Sequence, residues 1–287
     1  MADLNTWSDV SSIAQSIQHD AYFIVREMGI MQNLITVFRD ATGMNTRKSY
    51  KYNAGTAQEI GDEDDLTSNA FTPSADQTLT PKQIGLQFFV TDARAASDLP
   101  ENIIRDAARE LGFAALDKVE GDLIDLLPSL TGGSLGAGTA TISWGRVFAG
   151  IAQAHNVNKS VSVPLSYVLH GYQYQVLGKA ASIAATTMPS GIGFVEEMQR
   201  KGYVQTAGGV PMYEVFASVE TSGTNFRGGI FPRDAMAIDW RQPIRVEPER
   251  DASRRGWEFN MSAIYACGVW RPDLGVCMDM LAETPTS

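Results

Sequence analysis

One short stretch has the spelling of a catalytic motif. Gly132-Gly133-Ser134-Leu135-Gly136 reads G-x-S-x-G, the pattern that lifts a nucleophilic serine out of a tight strand-to-helix turn. Such an elbow needs a strand before it and a helix directly after it. Here a helical stretch and Pro128 come before and more glycine follows, so the segment reads as a flexible connection. Gly133, Gly136 and Gly138 do not make a phosphate loop either, because no Gly-Lys-Ser/Thr follows them. The histidines, His19, His155 and His170, are scattered, with no pair at the i,i+4 spacing that places two imidazoles on one metal. His155 falls on the apolar side of a helical pattern, where it caps or packs. Cys267 and Cys277 lie in apolar, strand-like surroundings and read as small buried hydrophobes. The acidic run Asp62-Glu63-Asp64-Asp65 fails as a calcium loop: counted from Asp62, the required Gly and Glu positions hold Thr67 and Pro73. It reads as a solvated loop tip. Asn158-Lys159-Ser160 and Asn260-Met261-Ser262 match the glycosylation sequon, but nothing else suggests a secretory route. No catalytic, cofactor-binding or metal-binding constellation emerges, so the expectation is a structural chain, not an enzyme.

Composition supports that direction. The 287 residues are 44% apolar and 20% charged, which is globular and against disorder. Two cysteines cannot form a disulfide framework. No apolar run reaches the ~18 residues of a membrane span, and Met1-Ala2-Asp3-Leu4-Asn5 does not open a signal peptide. A reducing cytoplasm is the expected setting. The net charge of −10 argues against a protein that reads nucleic acid, since phosphates repel an acidic surface.

The elements follow from periodicity. Ile13, Ile17, Ala21, Ile24, Val25 and Met28 recur at helical spacing, and residues 11–41 read as helix around Gly29. Arg47–Tyr52 reads as a short exposed strand, and Ile84, Leu86, Phe88 and Val90 as one side of a better one. Between them, residues 53–83 are polar and acidic. A loop of that length is uncommon inside a compact domain and must pack on something else. Asp98-Leu99-Pro100-Glu101 is helix-start chemistry. Ile104, Ala108, Leu111, Ala115, Val119, Leu123 and Leu126 then make one stripe, ended by Pro128. A helix from Leu99 to Leu127 would run about 40 Å. After the glycine-rich 131–141 connection, Ser143 caps a helix containing Trp144, Val147, Phe148, Ile151, Ala152 and His155. Val161–Leu169 alternates as a strand, 180–193 reads as a loop, and Val195–Lys201 as a short helix. Val210–Val219 and Ile230–Trp240 are strand-like. Ile244–Glu249 and Trp257–Ala263 alternate in opposite phase around Asp251–Gly256, the pattern of a long hairpin with one buried face.

In this order the elements resemble the major capsid proteins of tailed bacteriophages, the Hong Kong 97 fold. Specific phrases add to the likeness: Val163–Gly171, Gly208–Tyr213, Ile230–Ile238 and Gly268–Val276. The resemblance implies an α+β chain. Its parts would be an N-terminal arm (1–45), an extended E-loop (46–93), a peripheral domain with the spine helix (94–130), an axial domain (131–242), a peripheral hairpin (243–268) and a return strand to the axial domain (269–287).

The function implied is self-assembly into an icosahedral head shell around double-stranded DNA. Partners would be the chain itself in hexamers and pentamers, a portal protein, a separate scaffold protein during assembly, and decoration proteins. DNA would be touched only weakly and non-specifically, which suits an acidic wall, and no membrane is involved. The setting would be the virion capsid, assembled in the bacterial cytoplasm. Some relatives cross-link an E-loop lysine; Lys48, Lys51 and Lys82 are present, but no acid or acceptor is identifiable for them. On this reading residues 53–83 cross an adjacent subunit, with Asp62, Glu63, Asp64 and Asp65 near basic side chains and Phe71 and Leu79 as apolar anchors. The hairpin tip mixes Arg245, Arg250, Arg254 and Arg255 with Glu247, Glu249 and Asp251, and would meet its symmetry mates at three-fold axes. An encapsulin-type compartment shares the same implied fold. A soluble α+β enzyme is the remaining alternative, and it would need residues 131–141 or 155–172 to line a pocket.

Overall fold

The computed structural model describes residues 29–39, 46–52, 55–57, 59, 61, 68, 70–97, 103–187, 206–215, 220–222 and 225–282. Along them run α1 (Met31–Leu34), β1 (Thr36–Phe38), β2 (Arg47–Tyr52), β3 (Pro73–Leu79), β4 (Lys82–Thr91), α2 (Asp92–Ser97), α3 (Ile103–Ile124) and β5 (Gly133–Leu135). Then come α4 (Trp144–Asn158), β6 (Leu165–His170), α5 (Gly171–Thr187), β7 (Thr206–Ala207), β8 (Val210–Val215), β9 (Glu220–Ser222) and β10 (Asn225–Pro232). The last three are β11 (Met236–Asp251), β12 (Gly256–Val269) and β13 (Val276–Leu281).

The four-stranded sheet, called peripheral after the resemblance, has the order β1-β11-β12-β4. Its centre is the long antiparallel pair β11–β12, in register from Met236↔Val269 to Asp251↔Gly256. Alternation decides which face is buried: Phe259, Met261, Ala263 and Tyr265 point inward along β12. The spine helix α3 lies on that face, about 33 Å long at 1.5 Å per residue. Its stripe residues Leu111, Ala115, Val119 and Leu123 are all completely buried. Leu111 and Ala115 pack with Val90, Phe259 and Met261, while Val119 and Leu123 join Met31, Ile35, Phe231 and Ile238. Burying each leucine side chain is worth about 1.5–3 kcal/mol. Glu120, buried on the same helix, accepts hydrogen bonds from the Ile30 and Met31 N–H groups at 2.8 and 2.9 Å. That carboxylate ties the arm to the spine.

The seven-stranded sheet, called axial after the resemblance, runs β5-β13-β10-β6-β8-β7, with β9 added to β10. Val147, Ile151 and Ala154 of α4 pack on Tyr167, Ile230 and Met278. Gly150 permits that approach, since a Cβ there would lie 2.9 Å from Ile230 Cδ1. Buried Gln173 staples α5 to the sheet: its amide donates to the carbonyls of Phe226 and Met280 at 2.9 and 3.1 Å, and its oxygen accepts the His170 N–H.

Several expectations need correction. Of the helix expected over 11–41, only Met31–Leu34 is helical among the described residues, and Ile13–Met28 lie outside them. Thr36–Phe38 is instead a strand parallel to β11; β-branched and aromatic residues took an open sheet edge. The 53–83 loop contains β3, paired to β2 from Arg47↔Leu79 to Tyr52↔Pro73. Ile84–Val90, expected within the E-loop, lies beside β12. The helix start at Asp98–Glu101 lies outside the described residues; the spine helix ends at Ile124, and Pro128 sits in a 3-10 turn, Leu127–Ser129. The Gly-rich connection holds β5, parallel to β13. The strand expected from Val161 begins at Leu165. Residues 180–187, read as loop, are helical in α5, because their alanines are the best helix formers. The short helix expected at Val195–Lys201 lies outside the described residues. A 3-10 turn at Arg233–Ala235 splits Ile230–Trp240, so that its first part lies in β10 and its second in β11, in different sheets.

Candidate functional site

The described catalytic candidates all lie within strands and helices. Ser134 sits in an edge strand preceded by a 3-10 turn and followed by Gly136 and Gly138 at positive φ, so no elbow forms. His155 ends α4 with Nδ1 3.2 Å from the Ser160 carbonyl. His170 is buried and stacked on Phe226 at 4.1 Å. His19 lies outside the described residues. Cys267 and Cys277 are free thiols; burial, with Asp279 nearby, pushes Cys277 up to about 11. Among the described residues no cluster of metal-binding side chains exists, and no helix is long and apolar enough to cross a membrane. Residues from the 155–172 stretch do line a cleft of about 530 Å³, with Arg233 at its other wall. Its polar groups face structural tasks: Arg233 Nε donates to the Ile35 carbonyl at 3.0 Å, and Ser162 pairs with Ser160.

Two surfaces remain. The first is the β2–β3 hairpin. Ser49 is buried and Lys51 pairs with Asp273 at 3.1 Å, which holds that side of β2 toward its own chain. Tyr50 and Tyr52 alternate to the other side and are more than half exposed. Tyr52 stacks on Phe71 with ring centroids 4.6 Å apart, and Phe71 is still 73% exposed. The expected anchor Phe71 is therefore available to a partner. Leu79 is not: it is 1% exposed, enclosed by Ala237 and Ala266 of its own chain. Asp62, Glu63, Asp64 and Asp65 lie outside the described residues.

The second surface is the β11–β12 tip. Arg250 forms a two-pronged contact with Asp92 at 2.5 and 2.8 Å, which holds the Asp92 carboxyl below its ordinary range. Arg254 pairs with Glu258 at 3.1 Å and lies over Phe89. Arg245 pairs with Glu247 at 2.6 Å. Asp251 closes the turn by accepting from the Ser253 hydroxyl and N–H and the Arg254 N–H. Those bonds, the Ser253 hydroxyl foremost, keep its carboxyl low. Glu249 and Arg255 make no ion pair within the chain among the described residues.

Sequence reasoning missed Asp92, Arg47 and Asp239. Asp239 carried a usable signal: it is the lone carboxylate in the apolar run Met236–Trp240, and a charge there has to be paired.

Residues 75–277 match the model of a family described as phage capsid protein. The chain belongs to the phage capsid protein family. It is a major capsid protein, forming the head shell from copies of itself. The capsid of cyanophage P-SCSP1u is 12% identical to this capsid protein, with 92% of each chain covered and a TM-score of 0.71. A structure from Mycobacterium phage Che8 is 17% identical, covering 89% of this chain and 93% of that one, with a TM-score of 0.70. An encapsulin complex from Synechococcus elongatus is 11% identical, covering 96% and 98%, with a TM-score of 0.62. No curated protein sequence matches. The solved structures give this capsid protein the Hong Kong 97 fold, and its family gives it a place in the virion capsid.

Proposed function

We propose that the β2–β3 hairpin of this capsid protein crosses to an adjacent subunit and seats its aromatic face there. The observation that carries this reading is the stacked, exposed Tyr52–Phe71 pair on a hairpin with no core of its own. An aromatic pair left in water gains several kcal/mol when a partner covers it. In the same reading the subunits form hexamers and pentamers and close an icosahedral shell around double-stranded DNA, which an acidic wall contacts weakly. A separate scaffold protein guides assembly in the bacterial cytoplasm, a portal protein occupies one vertex, and decoration proteins are optional partners. The domain boundaries of the family are carried over with the corrections above. Glu249 and Arg255 are the tip residues left for contacts across three-fold axes; Glu247, Arg250, Asp251 and Arg254 act there through bonds they already hold.

The test is the double variant Tyr52→Ser with Phe71→Ser, expressed with the neighbouring head genes. It should keep wild-type circular dichroism and yield few closed particles by electron microscopy. Wild-type particle yield would overturn the hairpin reading. An encapsulin reading shares the fold and differs in content, so nuclease-protected DNA in the particles separates the two.

A further inference from the structure

At the base of the hairpin, parts of three segments distant in sequence converge on one buried carboxylate. Asp239 of β11 is 0% exposed. Its Oδ2 meets Arg47 Nε of β2 at 3.2 Å and Arg241 Nη2 at 2.9 Å. The strand neighbour of Asp239 is Phe38 of the arm strand β1. The Arg47 guanidinium lies over the Phe38 ring, 4.3 Å from its centroid, and Phe38 meets Trp270 edge-on at 5.3 Å. Directly across from Arg47, Leu79 closes the hairpin. It fills a socket floored by Ala237, Ala266 and Gly268; a Cβ on Gly268 would lie 2.6 Å from Leu79 Cδ2.

We infer that Phe38, Arg47 and Asp239 form a joint that couples the arm strand to the loop hairpin, so that displacing either one loosens the other. The physical basis is that Arg47 has two supports. The Asp239 carboxylate fixes its charge, and the Phe38 ring fixes its plane. Withdrawing β1 removes the ring and opens the buried pair to water, which weakens it. Lifting the hairpin removes Arg47 and uncovers Phe38. Beside the joint, the hairpin is held to its own chain by the Leu79 plug and by the exposed Lys51–Asp273 pair, of which the latter contributes little. Of these holds, the joint is the one that also touches the arm strand. Its role in assembly rests on the hairpin reading proposed above, whereas the coupling itself does not.

The experiment is hydrogen–deuterium exchange on the full-length chain, read in peptides covering 47–52 and 74–79. Phe38→Leu keeps an apolar side chain in the arm and removes the ring; it should speed hairpin exchange about tenfold or more while peptides from α4 and β6 stay unchanged. Arg47→Lys should do the same, because an ammonium lacks the planar fork. The double variant should be no faster than the faster single one, since both break a single joint. Unchanged hairpin exchange in Phe38→Leu, or multiplying effects in the double variant, would overturn the coupling. Wild-type particle yield from chains whose hairpin exchange is accelerated would count against the hairpin reading alone and leave the coupling standing.

Discussion

Asp122 concentrates more of the peripheral electrostatics than any tip residue. Burial pushes its carboxyl up, but hydrogen bonds from Lys82, Tyr265 and Lys118 outweigh that and hold it below its ordinary value. Lys82 Nζ is 2.6 Å and Lys118 Nζ 3.0 Å from its oxygens. A depressed carboxyl stabilises the fold fully above the unfolded-state value of ~3.9 and ceases to do so as pH falls through its lower folded value. Urea denaturation midpoints of the wild type should therefore drop more steeply below about pH 4 than those of Asp122→Asn. Parallel acid limbs would show that the cluster contributes nothing. At the tip, Arg254 is engaged by Glu258 while Arg255 has no ion pair among the described residues. Arg255→Glu should leave the thermal midpoint within a degree or so, because exposed charges contribute only ~0–1 kcal/mol each. It should also give fewer particles that fall apart at lower salt. Arg254→Glu with Arg255→Glu should be worse on both counts, since the first change sets an acid against Glu258. Wild-type salt tolerance in both variants would mean the tip is merely solvated.

At the level of the elements, the spine helix gives the sharpest contrast. Leu111 is completely buried against Phe259 and Met261, whereas Leu116, five residues on, is 43% exposed. Leu111→Asp buries a charge without a partner and should cost about 3–5 kcal/mol, enough to abolish folding. Leu116→Asp should fold, with native circular dichroism and a thermal midpoint within a few degrees. A soluble, native-like Leu111→Asp chain would contradict the packing. This helix was legible in the sequence because one side of it is buried from Leu111 to Leu123, so Leu111, Ala115, Val119 and Leu123 had to recur at its period. The long hairpin was legible for the same reason, its apolar positions alternating in opposite phase on either side of a turn. Strand β3 was not: Pro73-Ser74-Ala75-Asp76-Gln77-Thr78-Leu79 has no apolar alternation, since only Leu79 reaches the core and its pairing partner is the equally polar β2. The arm strand β1 was hidden in another way. Its partner β11 lies far along the chain, and a helix pattern and a three-residue strand cannot be told apart locally.

For the molecule as a whole, the decisive information was the order of its parts. Individual phrases such as Gly208–Tyr213 carry little, and identity to one solved capsid is only 12% over 92% of the chain. What persists at that distance is the fold, with a TM-score of 0.71; in this chain it is built from a long helix laid across a sheet with two long strands and a second sheet carrying two helices. The candidate surface was half readable. Phe71 stood out as an apolar residue in a polar loop, while Leu79 looked identical in sequence and proved to be the plug of its own subunit's joint. That distinction depends on Ala237, Ala266 and Gly268, three small residues far from it in the chain that only the fold brings beneath it. The central claim is that the exposed face of this hairpin belongs to a contact between copies. A cryo-electron microscopy map of particles made with the neighbouring head genes tests it most directly. Closed shells in which Tyr52 and Phe71 are covered by a second copy of the chain are the predicted result; shells in which those rings stay in solvent, or a chain that remains a monomer, would contradict it.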